Sequence, residues 1–357
     1  MHAMTRQLVT ALVAIALAVP FSGQLAGQQA KTSVLILPAI GSAPETGLQF
    51  GGLVMQVKRP VTGRPSINQA YVLFTAKHQF QLTLEHDGWT TGDTWRHYAK
   101  IDLLDFPMPY FGIGADAPEA AEEWFTARTE QVLGKVQRRL AGAWYGMAVA
   151  RVVHTAIRDA EPGGAVAAGT LRGFEGGTLV QPGVGAMYDT RDDVIGTERG
   201  RFLEASFAVA DRALGSDFGT NRTLIDGRAY RRIGPGVVAT QAYVELNSGA
   251  PSFDQMSLVG SSRVLRGYTK GRYRDRALAA AQVEWRAPIA GKWRYALFGG
   301  VGAIGSSPSD LGSVTLPTYG AGIRFRPIKG ERSSLRLDYA RGRDGSSGLY
   351  IAIDEAF

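Results

Sequence analysis

The chain contains no cysteine. That excludes disulfides, thiolate-ligated zinc and a cysteine nucleophile, and it excludes a lipoprotein, which needs a cysteine to acylate. Beyond the N-terminus the sequence also lacks a long hydrophobic run, and a helix needs about 20 apolar residues to cross a bilayer. No Gly-x-Ser-x-Gly elbow occurs, and no nucleic-acid module is visible. Histidine is scarce. His78, His86, His97 and His154 would have to supply any hydrolytic triad, yet no motif surrounds them, so an enzyme is not expected. Gly300-x-Gly302-x-x-Gly305 matches a dinucleotide fingerprint, but it lies in a β-like run with no helix after it. It reads as a strand where small residues pack closely, and no cofactor is implied. Asp189, Asp192 and Asp193 are either a calcium rim or ordinary Asp-rich turn chemistry; the turn is the simpler reading, and no metal is expected.

What is present starts with an export signal. Arg6 is the first basic residue, and Leu8 to Val19 form a short apolar run before Pro20. A basic start, a short apolar core and small residues afterwards predict a signal peptide over 1–30, cleaved between Gly23 and Ala30. The net charge is +7, which suits contact with phosphates but also arises from solvated or lumen-facing side chains.

The remainder, 31–357, alternates with period two. Leu203, Ala205, Phe207 and Val209 share one face, with Glu204 and Ser206 on the other. Val283 and Trp285 alternate with Gln282, Glu284 and Arg286, and Leu335, Leu337 and Tyr339 alternate with Arg336 and Asp338. Leu349, Ile351, Ile353 and Phe357 are placed on one outer face. Several charges per strand on the polar face fit a water-filled lumen better than a half-buried soluble sheet. Strands are predicted near 33–40, 47–57, 69–76, 78–87, 94–104, 123–135, 137–152, 180–188, 201–211, 221–232, 236–247, 277–287, 293–303, 317–326, 333–341 and 348–357. The fold class is therefore all-β: a transmembrane antiparallel barrel of about 16 strands, an even number as bacterial barrels have. Trp89, Trp95, Trp124, Trp144, Trp285 and Trp293 are read as interfacial girdles.

One loop stands out. Between the eleventh and twelfth predicted strands, roughly two dozen glycine-rich, basic residues lack secondary structure of their own, and loops that long are usually functional or disordered. It carries Gly260-Ser261-Ser262-Arg263-Val264-Leu265-Arg266-Gly267-Tyr268 and then Gly271-Arg272-Tyr273-Arg274-Asp275. The Leu-Arg-Gly-Tyr core resembles the hallmark of the BamA/TamA outer-membrane assembly superfamily, the bacterial surface antigens. Other segments are similar to that family in the same order: Tyr110-Phe111-Gly112-Ile113-Gly114, Tyr188-Asp189-Thr190-Arg191-Asp192, and Leu337-Asp338-Tyr339-Ala340-Arg341-Gly342 with a terminal Phe357.

The resemblance implies a loop folded back into the lumen. Leu265, Arg266, Gly267 and Tyr268 form its tip, Arg266 reaching an inward carboxylate, Gly267 turning the backbone and Tyr268 packing on the wall. The family often has an Asp two residues after a Phe in the strand following Glu284; here Gly300 stands there. Glu284 is thus the expected wall partner of Arg266, with Asp338 a more distant option. Phe357 resembles the family's C-terminal insertion signal. The implied place is the bacterial outer membrane. The implied role is insertion or translocation of proteins or lipids there, or one accessory to it. The expected partners are outer-membrane lipids, a periplasmic protein, and the barrel assembly machinery during biogenesis. The family's periplasmic repeats have no room before the first predicted strand. The alternative is a passive pore for small solutes.

Overall fold

The computed structural model describes residues 31–43, 47–328 and 330–357; the expected signal peptide lies outside them. The strands are β1 (Lys31–Ala43), β2 (Gly47–Arg59), β3 (Ser66–Thr75), β4 (Phe80–Trp89), β5 (Trp95–Tyr110) and β6 (Glu123–Ala141). They continue with β7 (Trp144–Arg158), β8 (Gly176–Asp189), β9 (Gly200–Ala210), β10 (Thr220–Ile233) and β11 (Gly236–Gly249). Two short strands follow, β12 (Ser257–Leu258) and β13 (Arg274–Asp275), and then β14 (Ala277–Ala290), β15 (Trp293–Gly305), β16 (Leu316–Phe325), β17 (Leu335–Arg341) and β18 (Ser347–Ile353). Sixteen of these form a single antiparallel sheet in chain order, β11 pairing directly with β14. β12 and β13 make a separate hairpin inside the intervening loop. The result is the up-and-down β-barrel that the alternation predicts.

Period-two facing gives the barrel wall an apolar outside and a polar interior. On β14, Val283 is exposed on the outer wall while Glu284 beside it is fully buried in the lumen. On β17, Leu337 and Tyr339 face out and Arg336 and Asp338 face in. The two rims differ. Connections at the end holding Lys31 and Phe357 are short, for instance 142–143, 234–235 and 291–292. Connections at the other end are long, reaching 111–122, 159–175 and 250–276.

At the short-turn rim, two turns fold inward. Ile195 of the β8–β9 turn is buried against Leu35, Met55 and Val57, with Ile328 and Ile353 packed alongside. Glu331 of the β16–β17 turn accepts hydrogen bonds from Ser33 Oγ at 3.1 Å and Arg59 Nε at 2.7 Å. Arg59 in turn pairs with Asp193 at 3.0 Å. Side chains thus tie β1 and β2 to the connection preceding β17. Glu331→Ala removes a buried acceptor of two donors and is expected to lower stability by about 2 kcal/mol, measured by denaturant unfolding from vesicles. Unchanged stability would show that this contact does not hold the rim.

Three details differ from the sequence reading. β5 runs on through Pro107 and Pro109 to Tyr110, whereas its pairing with β4 stops at Asp105. Past that point one side of β5 is an open edge, which tolerates a missing N–H. Trp89 is not in a girdle; it faces the lumen, buried, beneath Arg64 and Arg96 at 4.7 and 5.5 Å. Phe357 does not share the outer face of β18. Asp354 adopts φ 64°, which turns the chain inward, and Phe357 is buried with Tyr230 and Ala239.

Candidate functional site: the lumenal loop and its wall

The 250–276 connection enters the lumen and packs a core of its own. Val259, Leu265, Tyr268 and Tyr273 are buried against Leu278, Ile304 and Leu316 of the wall. Its second half is held by the β5–β6 loop: the Gly114 N–H donates to Arg274 O at 2.8 Å, and Arg272 donates to Ala117 O at 2.9 Å. The Tyr-Phe-Gly-Ile-Gly turn therefore meets the basic loop directly. Arg274 is buried between Tyr110 and Phe253, its guanidinium 5.2 and 5.3 Å from the two rings.

At the tip, the conformation follows from residue type. Leu265 sits at φ 52°, and its side chain enters the space that Gly302 leaves by lacking a Cβ. Gly267 sits at φ 105°, where a Cβ would lie 2.7 Å from the main-chain carbon of Arg341. Only glycine takes that conformation at that approach without strain. The Gly267 N–H donates to the Tyr350 hydroxyl at 2.8 Å, and Ser346 Oγ donates to Gly267 O at 2.7 Å. Tyr268 donates to Pro317 O at 2.5 Å and accepts from the Arg343 N–H at 2.9 Å.

Between them Arg266 is 1% exposed. Its Nη2 lies 2.5 Å from Glu284 Oε2 and its Nη1 2.5 Å from Asp338 Oδ2. The guanidinium lies 3.5 Å over the Phe298 ring, and Thr318 Oγ1 donates to the Arg266 carbonyl. Both carboxylates serve further arginines. Glu284 takes Arg286 at 2.9 Å and Arg324 at 3.1 Å; Asp338 takes Arg336 at 2.9 Å and also Arg324. Arg324 Nε reaches Glu355 at 2.8 Å, and Arg286 donates to Phe357 O at 2.8 Å. Four arginines and three carboxylates, all buried, form one cluster that joins the loop, β14, β16, β17 and the C-terminal segment. A cluster of this kind stands in low dielectric only because nearly every charge has charged partners on more than one side. It holds a conformation; it offers no nucleophile and no open metal position.

Gly300 faces inward beside Gln282, and a Cβ on it would lie 2.9 Å from Gln282 Cγ. Gln282 Oε1 instead accepts from the Leu265 N–H at 2.9 Å, and its Nε2 donates to Arg263 O at 3.0 Å. Where the family often has a carboxylate, this chain thus has a glycine beside an amide that grips the loop backbone. The sequence reading did not pick out Phe298, Thr318, Arg324, Arg336, Tyr350 or Glu355. The inward parity of Arg324 and Arg336 was the available signal.

The remaining candidates are dispersed. His86 and His97 stack at 5.0 Å near the short-turn rim, while His154 lies on β7 toward the other rim, bonded to Thr178 at 3.0 Å. Asp189, Asp192 and Asp193 each pair with arginine: Arg191 at 2.7 Å, Arg332 at 2.8 Å and Arg59 at 3.0 Å. Partial burial opposes ionisation of Asp192, yet Arg332 and the N–H groups of Glu198 and Arg199 hold its carboxyl below the usual range. These carboxylates act as arginine partners, and no metal-holding group occurs among the described residues.

The Omp85 superfamily domain matches residues 124–357. The chain belongs to the Omp85 superfamily. Solved structures of low identity share the fold. BamA from Haemophilus ducreyi, lacking POTRA domains 1–3, superposes with a TM-score of 0.56 at 14% identity, covering 91% of this chain and 69% of that one. CdiB from Escherichia coli gives 0.57 at 11%, covering 92% and 63%, and CdiB from Acinetobacter baumannii gives 0.52 at 10%, covering 90% and 65%. No curated protein matches the chain. As an Omp85 barrel it is an outer-membrane protein of an insertion and translocation family. Its short-turn rim is accordingly periplasmic and its long-loop rim extracellular.

Proposed function

We propose that the chain is the membrane half of an insertion or translocation device for proteins or lipids at the outer membrane, or an accessory to one. The observation that carries this reading is the lumenal loop clamped through Arg266 to Glu284 and Asp338. A passive solute pore is served by an open channel. Here the 250–276 loop, Phe253 included, packs against the wall and the β5–β6 connection in the extracellular half of the lumen. Below them lies a charged, partly open cavity of about 250 Å³. In this reading, clients reach the barrel through a protein docked at its periplasmic rim. Phe357, held inside the barrel by Tyr230, serves insertion while the chain is still unfolded.

Because the chain has no native cysteine, single cysteines in the periplasmic turns at 90–94, 142–143 and 234–235 carry a crosslinker cleanly. In-cell crosslinking is expected to capture the same polypeptide or lipid from several of these turns. Capture of nothing reproducible, together with steady ion conductance of the unmodified barrel, would replace this reading with a pore.

A further inference from the structure

The outer wall carries a valley that the lumenal site does not use. Strand register defines its course. Trp144 pairs with Tyr188, Tyr188 with Leu203, Leu203 with Gly227, Gly227 with Ala242, and Ala242 with Ala281. All six lie on outward parity, and the row climbs diagonally. Trp144 and Tyr188 stand at the periplasmic ends of β7 and β8, whereas Ala281 is in the extracellular half of β14. Where most outward positions carry Leu, Val, Ile or aromatics, this row carries Gly227, Ala242 and Ala281, and the neighbouring row adds Ala229 and Thr240. The wall is therefore indented into an apolar groove of about 720 Å³, with Leu203 and Val283 at its sides. From Tyr188 to Ala281 there are four inter-strand steps of about 4.8 Å, or about 19 Å, enough for a tilted acyl chain within one leaflet of a ~30 Å core.

The periplasmic mouth of this groove is charged. Arg201 pairs with Ala229 across β9 and β10, and Arg231 follows two residues further along β10. Both are exposed on the outer wall. Neither guanidinium has a hydrogen-bond or ion-pair partner among the described residues, although most arginines of the lumen and rim are paired. An unpaired arginine on the lipid-facing wall is tolerable only at head-group depth. Trp144 and Tyr188, in contact at 5.0 Å between ring centroids, mark that depth.

We propose that this groove seats one glycerophospholipid of the inner leaflet, its phosphate on Arg201 and Arg231 and one acyl chain laid over Gly227, Ala242 and Ala281. The charge at the mouth selects an anionic head group, the aromatic pair fixes its height, and the small residues let the chain lie against the backbone of the wall. This assignment is independent of what the lumenal loop does.

The full chain, folded into vesicles of phosphatidylethanolamine and phosphatidylglycerol, is tested with a photoreactive amino acid at Ala242 and, as a control, at Ile351, which is 77% exposed on the outer wall. Radiolabelled phosphatidylglycerol at sub-saturating mole fraction is the probe. Labelling is expected to be clearly stronger from position 242 than from 351. Arg201→Gln with Arg231→Gln should cut it about ten-fold, the equivalent of one charge-assisted hydrogen bond. Arg201→Lys with Arg231→Lys should retain it, and heat-shifted gel migration confirms folding of every variant. Equal labelling at both positions, or labelling indifferent to the arginines in folded protein, overturns the proposal. So does preferential labelling by lipid A over phosphatidylglycerol, or an adduct to a second copy of the chain.

Discussion

Arg266→Ala should cost about 3 kcal/mol of barrel stability, near the lower end of what removing one partner from a buried charge pair costs. The lower end is expected because Glu284 and Asp338 keep other arginines when Arg266 is lost. Glu284→Ala should cost more, since it removes one carboxylate from Arg266, Arg286 and Arg324 at once and leaves four buried arginines to Asp338 and Glu355. The double variant is the informative one. Groups in direct contact within one network show coupling of about 0.5–3 kcal/mol. Unfolding free energies in vesicles for the wild type, both single variants and the double variant measure that coupling. Strict additivity would mean that Glu284 does not hold Arg266.

Gly267→Ala should release the tip. The methyl group would meet the Arg341 main chain at 2.7 Å, and the residue would still have to hold φ 105°. Neither side of that contact is a flexible side-chain end. Strain at such a φ costs about 1–3 kcal/mol and overpacking about as much again, so the loop lowers its energy by withdrawing from the wall. The expected results are ion conductance above wild type in planar bilayers and proteolytic cleavage within the basic stretch from Arg263 to Arg276. A variant with wild-type conductance and an intact loop would show that the tip is not needed to close the lumen. Gly302→Val, which fills the space taken by the Leu265 side chain, should produce the same pair of effects through a different strand.

Much of the barrel is legible from alternation alone, because lipid outside and water inside demand opposite chemistry of successive residues. Glu284 could be singled out for the same reason: it is inward, acidic, and on the strand that follows the loop. Asp338 ranked lower because along the wall it is three strands away from β14. The loop cuts across the lumen, so distance along the sheet is the wrong measure for a tip that reaches both at once. The misplacement of Phe357 has a different origin. Parity assumes an unbroken strand, and although Asp takes positive φ more readily than most residues, a single Asp is too weak a signal to mark where this one ends. Trp89 shares the inward parity of Thr83, Glu85 and Asp87 on its own strand, and that local pattern outweighs the general preference of tryptophan for interfaces. Phe298 is placed by the family comparison that also places Gly300, but nothing in the sequence marks its ring as the floor beneath a guanidinium.

The clamp around Arg266 also has a place in time. Arg266 is 18 residues from Glu284 but 72 from Asp338, and Glu355 enters the cluster from beyond the last strand. Half of the enclosure does not exist until β16, β17 and the tail have been laid down, and contacts of long sequence separation form late. Until then a cationic tip faces an unfinished wall with only one carboxylate in place. The arginine cluster thus reports completion: the loop can settle fully only on a chain whose final strands have already joined the sheet.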